Sequence, residues 1–124
     1  MAKKHILLLE DEQEIAELFE IGLRASGYLV DIASSIAQAH QRLNTRRYDL
    51  VIVDIRLPDG DGRQIANRAA DLGSKTYILS GSLVQLSANS IERHEVLMKP
   101  LRPSELVAAA SRAIGPAEDP AISN

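Results

Sequence analysis

The most constraining stretch of this 124-residue chain is Leu50-Val51-Ile52-Val53-Asp54, followed by Ile55-Arg56-Leu57-Pro58-Asp59-Gly60-Asp61-Gly62. Four consecutive apolar residues, mostly β-branched, leave a strand no polar face. Such a run predicts a strand covered on both sides, in the middle of a parallel sheet. It ends on a carboxylate, Asp54, and breaks at once into proline and glycine turn chemistry. Open α/β sheets place their ligands beyond the carboxyl ends of their strands, which is where Asp54 would lie. Taken alone, Asp54 fits equally well as a cap for the turn that follows.

The rest of the chain supplies the partners of such a strand. Ile6-Leu7-Leu8-Leu9 is a second buried run and also ends in acid, Glu10-Asp11-Glu12. Gln13 to Ser26 carries Ile15, Leu18, Phe19 and Gly22 at helical spacing, and Gly27 stops it. Tyr28 to Ala33 alternates in the manner of a strand near a sheet edge. Ser34 or Ser35 can cap a helix to about Thr45, with Ile36, Ala39, His40 and Leu43 inward. Arg63 to Leu72 predicts a helix with Ile65, Ala66 and Ala69 inward, closed by Gly73.

Thr76 to Ser80 reads as the fourth strand and Glu95 to Lys99 as the fifth, ended by Pro100. Between them, Leu83 to about Ile91 should be helical but is rich in serine and asparagine, so a short or mobile helix is expected. Pro103 opens a last helix to Ile114 with Leu106, Ala109, Ala110 and Ala113 as its inner stripe. Gly115 to Asn124 reads as a loose tail. Five strands alternating with five helices imply an α/β, doubly wound parallel sheet with right-handed crossovers. The expected organisation is one domain, 1–114, and a flexible tail, 115–124.

Composition narrows the function. The chain carries a net charge of −3 with no basic patch beyond Lys3-Lys4 and Arg46-Arg47, which argues against direct nucleic-acid binding. Aromatics make up 3%, too few for base stacking. Without cysteine there are no disulfides, thiolate metal sites or Cys nucleophile. No apolar run approaches a membrane span and no signal-peptide core is evident, so a cytoplasmic location is expected.

Strand ends carry the chemistry. Glu10-Asp11, Asp54, Ser80 and Lys99 each close a predicted strand, and in a parallel sheet all those ends face one way. Each has an ordinary reading: acids favouring a helix N-terminus, a turn serine, a surface lysine. Together they point elsewhere. Crowded carboxylates raise one another's pKa unless a cation sits among them. Oxygen donors without His or Cys favour Mg2+ over zinc. Lys99 suits phosphate and Ser80 offers a hydroxyl donor. A carboxylate nucleophile, a divalent metal, an ammonium and a hydroxyl make a phosphoryl-transfer site.

From about Lys4 to Ile114 the sequence resembles the response-regulator receiver domains of bacterial two-component signalling. The residues that carry the likeness are Leu7-Leu8-Leu9-Glu10-Asp11-Glu12, Asp54 with Leu57-Pro58-Asp59-Gly60-Asp61-Gly62, Ser80-Gly81 and Lys99-Pro100. The resemblance implies the flavodoxin-like strand order 2-1-3-4-5. It also implies that Asp54 takes a phosphoryl group from a phosphohistidine on a sensor histidine kinase or phosphotransfer protein, the domain catalysing its own phosphorylation and dephosphorylation. Asp11 and Asp54 would bind Mg2+, Glu10 would act through water, and Arg56 would offer its carbonyl. Ser80 and Lys99 would hold the phosphoryl oxygens, the Lys99–Pro100 bond would be cis, and Gly81 would leave room for entry. A conformational change would then signal to an unknown output partner, with a homodimer as one form it could take.

The departures are specific. Val96 stands where the family usually has Tyr or Phe, and the segment from Ser80 to Lys99 is shorter than is common. They keep a second reading open: a pseudo-receiver, a binding module with the fold and without phospho-switching. A phosphatase with an Asp-x-Asp nucleophile motif is disfavoured, because Arg56 stands where the general acid would be. A flavin module is rejected, since acids replace its phosphate loop.

Overall fold

A computed structural model describes residues 3–81 and 93–118. The elements in chain order are β1 (His5–Leu9), α1 (Gln13–Ala25), β2 (Leu29–Ala33), α2 (Ile36–Thr45), β3 (Leu50–Asp54), β4 (Arg56–Leu57), β5 (Gly60–Asp61), α3 (Arg63–Asp71), β6 (Lys75–Ser80), β7 (Glu95–Met98) and α4 (Pro103–Ile114). The main sheet runs β2-β1-β3-β6-β7 and every pairing in it is parallel. Counting only its own five strands, this is the doubly wound order 2-1-3-4-5. Four helices lie among the described residues; the helix expected from Leu83 to Ile91 falls outside them.

β3 is central, and all five of its residues are buried. Because successive strand residues point to opposite faces, each apolar run feeds two cores. Ile6, Leu8, Leu50, Ile52, Tyr77 and Leu79 pack with α1 and α4. Leu7, Leu9, Val51, Val53 and Ile78 pack with α2 and α3. This two-sided burial is why the runs show no polar alternation. The three tyrosines make up for the scarcity of other aromatics. Each is buried and donates its phenol to a fixed acceptor: Tyr28 to the Gly115 carbonyl (2.5 Å), Tyr48 to Asp31 (2.7 Å) and Tyr77 to the Ala109 carbonyl (2.7 Å).

Two expectations need correction, and two further features add to the reading. In α1 the buried stripe is Ala16, Phe19 and Leu23, while Leu18 is 56% exposed. Spacing alone could not choose between two overlapping stripes one residue apart. His40 of α2 is half-buried, held not in the core but against Arg68 of α3, whose Nη1 lies 2.8 Å from His40 Nδ1. The turn after Asp54 is a small antiparallel hairpin, with Arg56 opposite Asp61 and Leu57 opposite Gly60. Finally, the chain past α4 stays attached to the sheet through Glu118. Lys4 N donates to the Ala117 carbonyl (2.8 Å), Lys3 pairs with Glu118, and Ala117 is buried beside Gly27.

Candidate functional site

The carboxyl ends of β1, β3 and β6 and the residue after β7 meet at one edge of the sheet. β1 delivers Glu10 and Asp11, β3 ends on Asp54, β6 ends on Ser80, and Lys99 follows β7. Glu10, Asp54 and Ser80 are buried and Asp11 is exposed. Carboxylate oxygens of Glu10, Asp11 and Asp54 all lie within 4.8 Å of one another. Lys99 Nζ donates to Asp54 Oδ2 at 2.6 Å and to Glu10 Oε1 at 3.1 Å. The Lys99 amide donates to the Ser80 carbonyl (2.7 Å), tying the ends of β6 and β7 together, and the Lys99–Pro100 peptide is cis.

Electrostatics follow from this crowding. Burial, and then the charge of Asp54, push the Glu10 carboxyl from 4.5 up to about 7, against the pull of Lys99 and the Glu12 amide. For Lys99, burial works against the ammonium, but the hydrogen bonds and charges of Asp54 and Glu10 outweigh it and raise its pKa. Three carboxylates against one ammonium leave two uncompensated negative charges when all are ionised. A hard dication with oxygen ligands fits that donor set and that charge.

Backbone design around Asp54 is tight. Its Oδ1 accepts the Arg56 amide (3.1 Å), and the Gly62 amide donates to the Ile55 carbonyl (3.0 Å). A Cβ on Gly62 would lie 2.1 Å from the Asp54 carbonyl oxygen and 2.5 Å from Val53 Cγ1, so only glycine lets the hairpin close on β3. A Cβ on Gly81, by contrast, would meet nothing within 4 Å among the described residues, leaving open space beside Ser80.

All the residues singled out from sequence, Glu10, Asp11, Asp54, Arg56, Ser80 and Lys99, are thus brought to one place. The sequence reading gave no role to Asp59. Its carboxylate accepts the Ile36 amide (2.8 Å) and the Ala37 amide (3.1 Å) at the start of α2. It also passed over the Asp61–Arg63 ion pair beside the hairpin. Val96, half-buried, packs on the α2–α3 side of the sheet, the core that also holds Ile78.

Fold and site together define a doubly wound α/β domain whose strand ends collect an acidic pocket, a lysine and a serine. The chain belongs to the response regulator receiver domain family, whose model matches residues 6–111. The transcriptional regulatory protein CutR of Streptomyces coelicolor is 33% identical over 115 residues, covering 89% of this chain and 52% of CutR. CusR of Escherichia coli is 32% identical over 108 residues, covering 83% and 48%. The chain therefore spans about half the length of these curated relatives. Among solved structures, a CheY-like receiver domain from Methylobacillus flagellatus superposes with a TM-score of 0.81 at 28% identity, covering 90% of this chain and 99% of that one. The receiver domain of a sensor histidine kinase from Pseudomonas aeruginosa, solved with a magnesium ion in its active site cleft, gives 0.79 at 27% identity, covering 92% and 99%.

Proposed function

We propose that the chain is a phosphoacceptor receiver: Asp54 takes a phosphoryl group from a phosphohistidine on a sensor histidine kinase or a phosphotransfer protein. One observation carries this reading. The Asp54 carboxylate ends the central strand within reach of two other carboxylates and is held from two sides, by the Arg56 amide and by Lys99. In the transfer, an Asp54 oxygen bonds to phosphorus as the bond from phosphorus to the histidine nitrogen breaks, and the electron pair leaves on the imidazole. The product is an aspartyl phosphate. Asp11, Asp54 and the Arg56 carbonyl would hold Mg2+, with Glu10 acting through water, and the ion would supply the charge compensation that a dianionic donor needs on approaching these acids. Lys99 lies 2.6 Å from an Asp54 oxygen, placed to hold the new phosphoryl oxygens, and the buried Ser80 hydroxyl ends the neighbouring strand.

The donor has a surface to sit on. A groove of about 430 Å³ beside the site is lined by Ile15, Leu18, Phe19, Lys99, Pro100 and Leu101. Leu18 and Ile21 of α1 stand exposed at 56% and 65%. An apolar helical face on a phosphohistidine protein fits it. Among the described residues no helix is long and apolar enough to cross a membrane.

The test is intact-protein mass after incubation with a small acyl-phosphate donor and Mg2+. One phosphoryl group should appear on the wild-type chain, none on Asp54→Asn, and none after chelation. A wild-type chain that stays unlabelled by this donor and by phosphorylated histidine kinases would overturn the reading in favour of a pseudo-receiver.

A further inference from the structure

The hairpin after Asp54 bears on the acceptor directly, because its first amide, that of Arg56, is bonded to Asp54 Oδ1. At its near end the hairpin is fixed by the close approach of Gly62 to the Asp54 backbone. At its far end it reaches α2. Asp59 spans 23 positions of sequence to accept the Ile36 amide at 2.8 Å, and accepts the Ala37 amide at 3.1 Å. Next to it, the position a Cβ of Gly60 would take lies 3.0 Å from Ile36 Cδ1, so the tip of the hairpin rests on the first side chain of the same helix.

α2 is a firm post for such a tether. Ile36, Ala39 and Leu43 are buried in the core, and Arg68 of α3 is bonded to both His40 and Asn44. Nor does α2 depend on Asp59 alone for its start, since Ser35 accepts the Gln38 amide at 3.2 Å. The two caps therefore differ in one respect. Ser35 caps the helix from within its own chain segment, whereas Asp59 caps it from the acceptor loop. An N-terminal carboxylate also gains from the helix dipole, so the contact favours one placement of the loop over others.

We infer that Asp59 is a positioning residue for phosphoryl transfer: by fastening the hairpin to α2, it holds the Arg56 backbone against the Asp54 carboxylate. The inference rests on the receiver reading of Asp54. Without Asp59 the hairpin would pivot about Gly62, and both the Arg56 amide and the Arg56 carbonyl would lose their fixed positions beside the acid pocket.

The experiment compares Asp59→Ala with Ser35→Ala, which removes a cap from the same helix end without touching the hairpin. Amide hydrogen exchange at Arg56, followed by NMR without metal or phosphate, should accelerate about fivefold in Asp59→Ala, the factor corresponding to one helix cap. It should stay at the wild-type rate in Ser35→Ala. The Mg2+ concentration for half-saturation, followed by the same NMR signals, should rise by a similar factor in Asp59→Ala alone. Asp59→Asn keeps one oxygen acceptor and should fall between wild type and Asp59→Ala; it also replaces the alanine variant should that one not fold. Equal Arg56 exchange and equal Mg2+ response in the Asp59 and Ser35 variants would overturn the inference. A wild-type chain that takes no phosphoryl group would sink the receiver reading instead, while the exchange comparison would still decide whether Asp59 holds the loop.

Discussion

Glu10→Gln tests how the acid pocket is charged, and its outcome can be worked out from the structure. Glu10 is 1% exposed, shares Lys99 with Asp54, and takes the Glu12 amide on its second oxygen at 3.2 Å. Burial and the Asp54 charge lift its carboxyl from 4.5 to about 7. The folded state therefore binds a proton that the unfolded chain has already released. A group raised in this way gives its full contribution to stability below the unfolded value and loses it as pH climbs through the folded value. Across that window the loss is about 3 kcal/mol.

Urea unfolding in a chelating buffer from about pH 4 to about pH 9, followed by far-ultraviolet circular dichroism, measures this directly. Wild-type stability relative to Glu10→Gln should fall by about 3 kcal/mol between about pH 4.5 and about pH 7 and then level off. His94 titrates nearby with the opposite sign. Burial, with Arg93 adding to it, lowers its pKa, so its contribution is lost as pH falls. That term is common to both proteins and cancels in the difference. Excess Mg2+ should flatten the wild-type decline, because a dication in the pocket favours the ionised Glu10 carboxylate and its proton is released. Parallel pH curves for the two proteins would refute the argument that Glu10 carries the site's proton.

Gly62→Ala should cost about 3 kcal/mol in urea unfolding, because its backbone is ordinary helix (φ −62, ψ −18) and the whole penalty comes from the methyl driven into the Asp54 carbonyl. An unchanged midpoint would mean that the hairpin has room to move. Leu18→Ser, at an exposed position of α1, should leave stability within about 0.5 kcal/mol and small-donor labelling unchanged, yet slow transfer from a phosphorylated histidine protein. Equal transfer rates would remove the groove from donor docking. Ending the chain at Ile114 takes away the acceptors of the Lys4 amide and the Tyr28 phenol and should cost about 2 kcal/mol in thermal or urea unfolding. No loss would favour a domain that ends at residue 114.

The sheet was legible because burial on both faces forces an unmistakable sequence. Leu50 to Val53 and Ile6 to Leu9 have no polar side to show, and their flanking acids mark the end at which the chain leaves the sheet. The pocket was legible for the same reason: once strands are parallel, residues remote in sequence but alike in position, such as Asp54 and Lys99, must share an edge. The faces of the helices were harder to read. In α1, Ile15-Leu18-Phe19 and Ala16-Phe19-Leu23 are both helical stripes, and tertiary packing chose the one with the smaller first residue. That choice left Leu18 exposed in the groove beside Lys99. The contact just past α4 was not legible, because Gly115 and Pro116 look like the start of a loose tail, whereas Ala117 is small enough to pack next to Gly27.

The tether from Asp59 left no local trace at all. Backbone amides carry no side-chain code, so nothing around Ile36 and Ala37 announces that a carboxylate 23 residues away will bind them. What the sequence does contain is an account that has to balance. A helix begins with four amide donors that its own turns cannot satisfy. At α2 the Ser35 carbonyl takes the Ala39 amide as the first turn closes and the Ser35 side chain satisfies Gln38, so that Ile36 and Ala37 are the helical amides left over. A turn as acidic as Pro58-Asp59-Gly60-Asp61, leaving β3 with only β1 between it and the β2 strand that feeds α2, is the natural source of a second acceptor. Counting unsatisfied donors at each helix start, and asking which neighbouring loop could supply an oxygen, is therefore the reasoning that leads to Asp59. Periodicity could not have found it, because the contact obeys topology and not spacing.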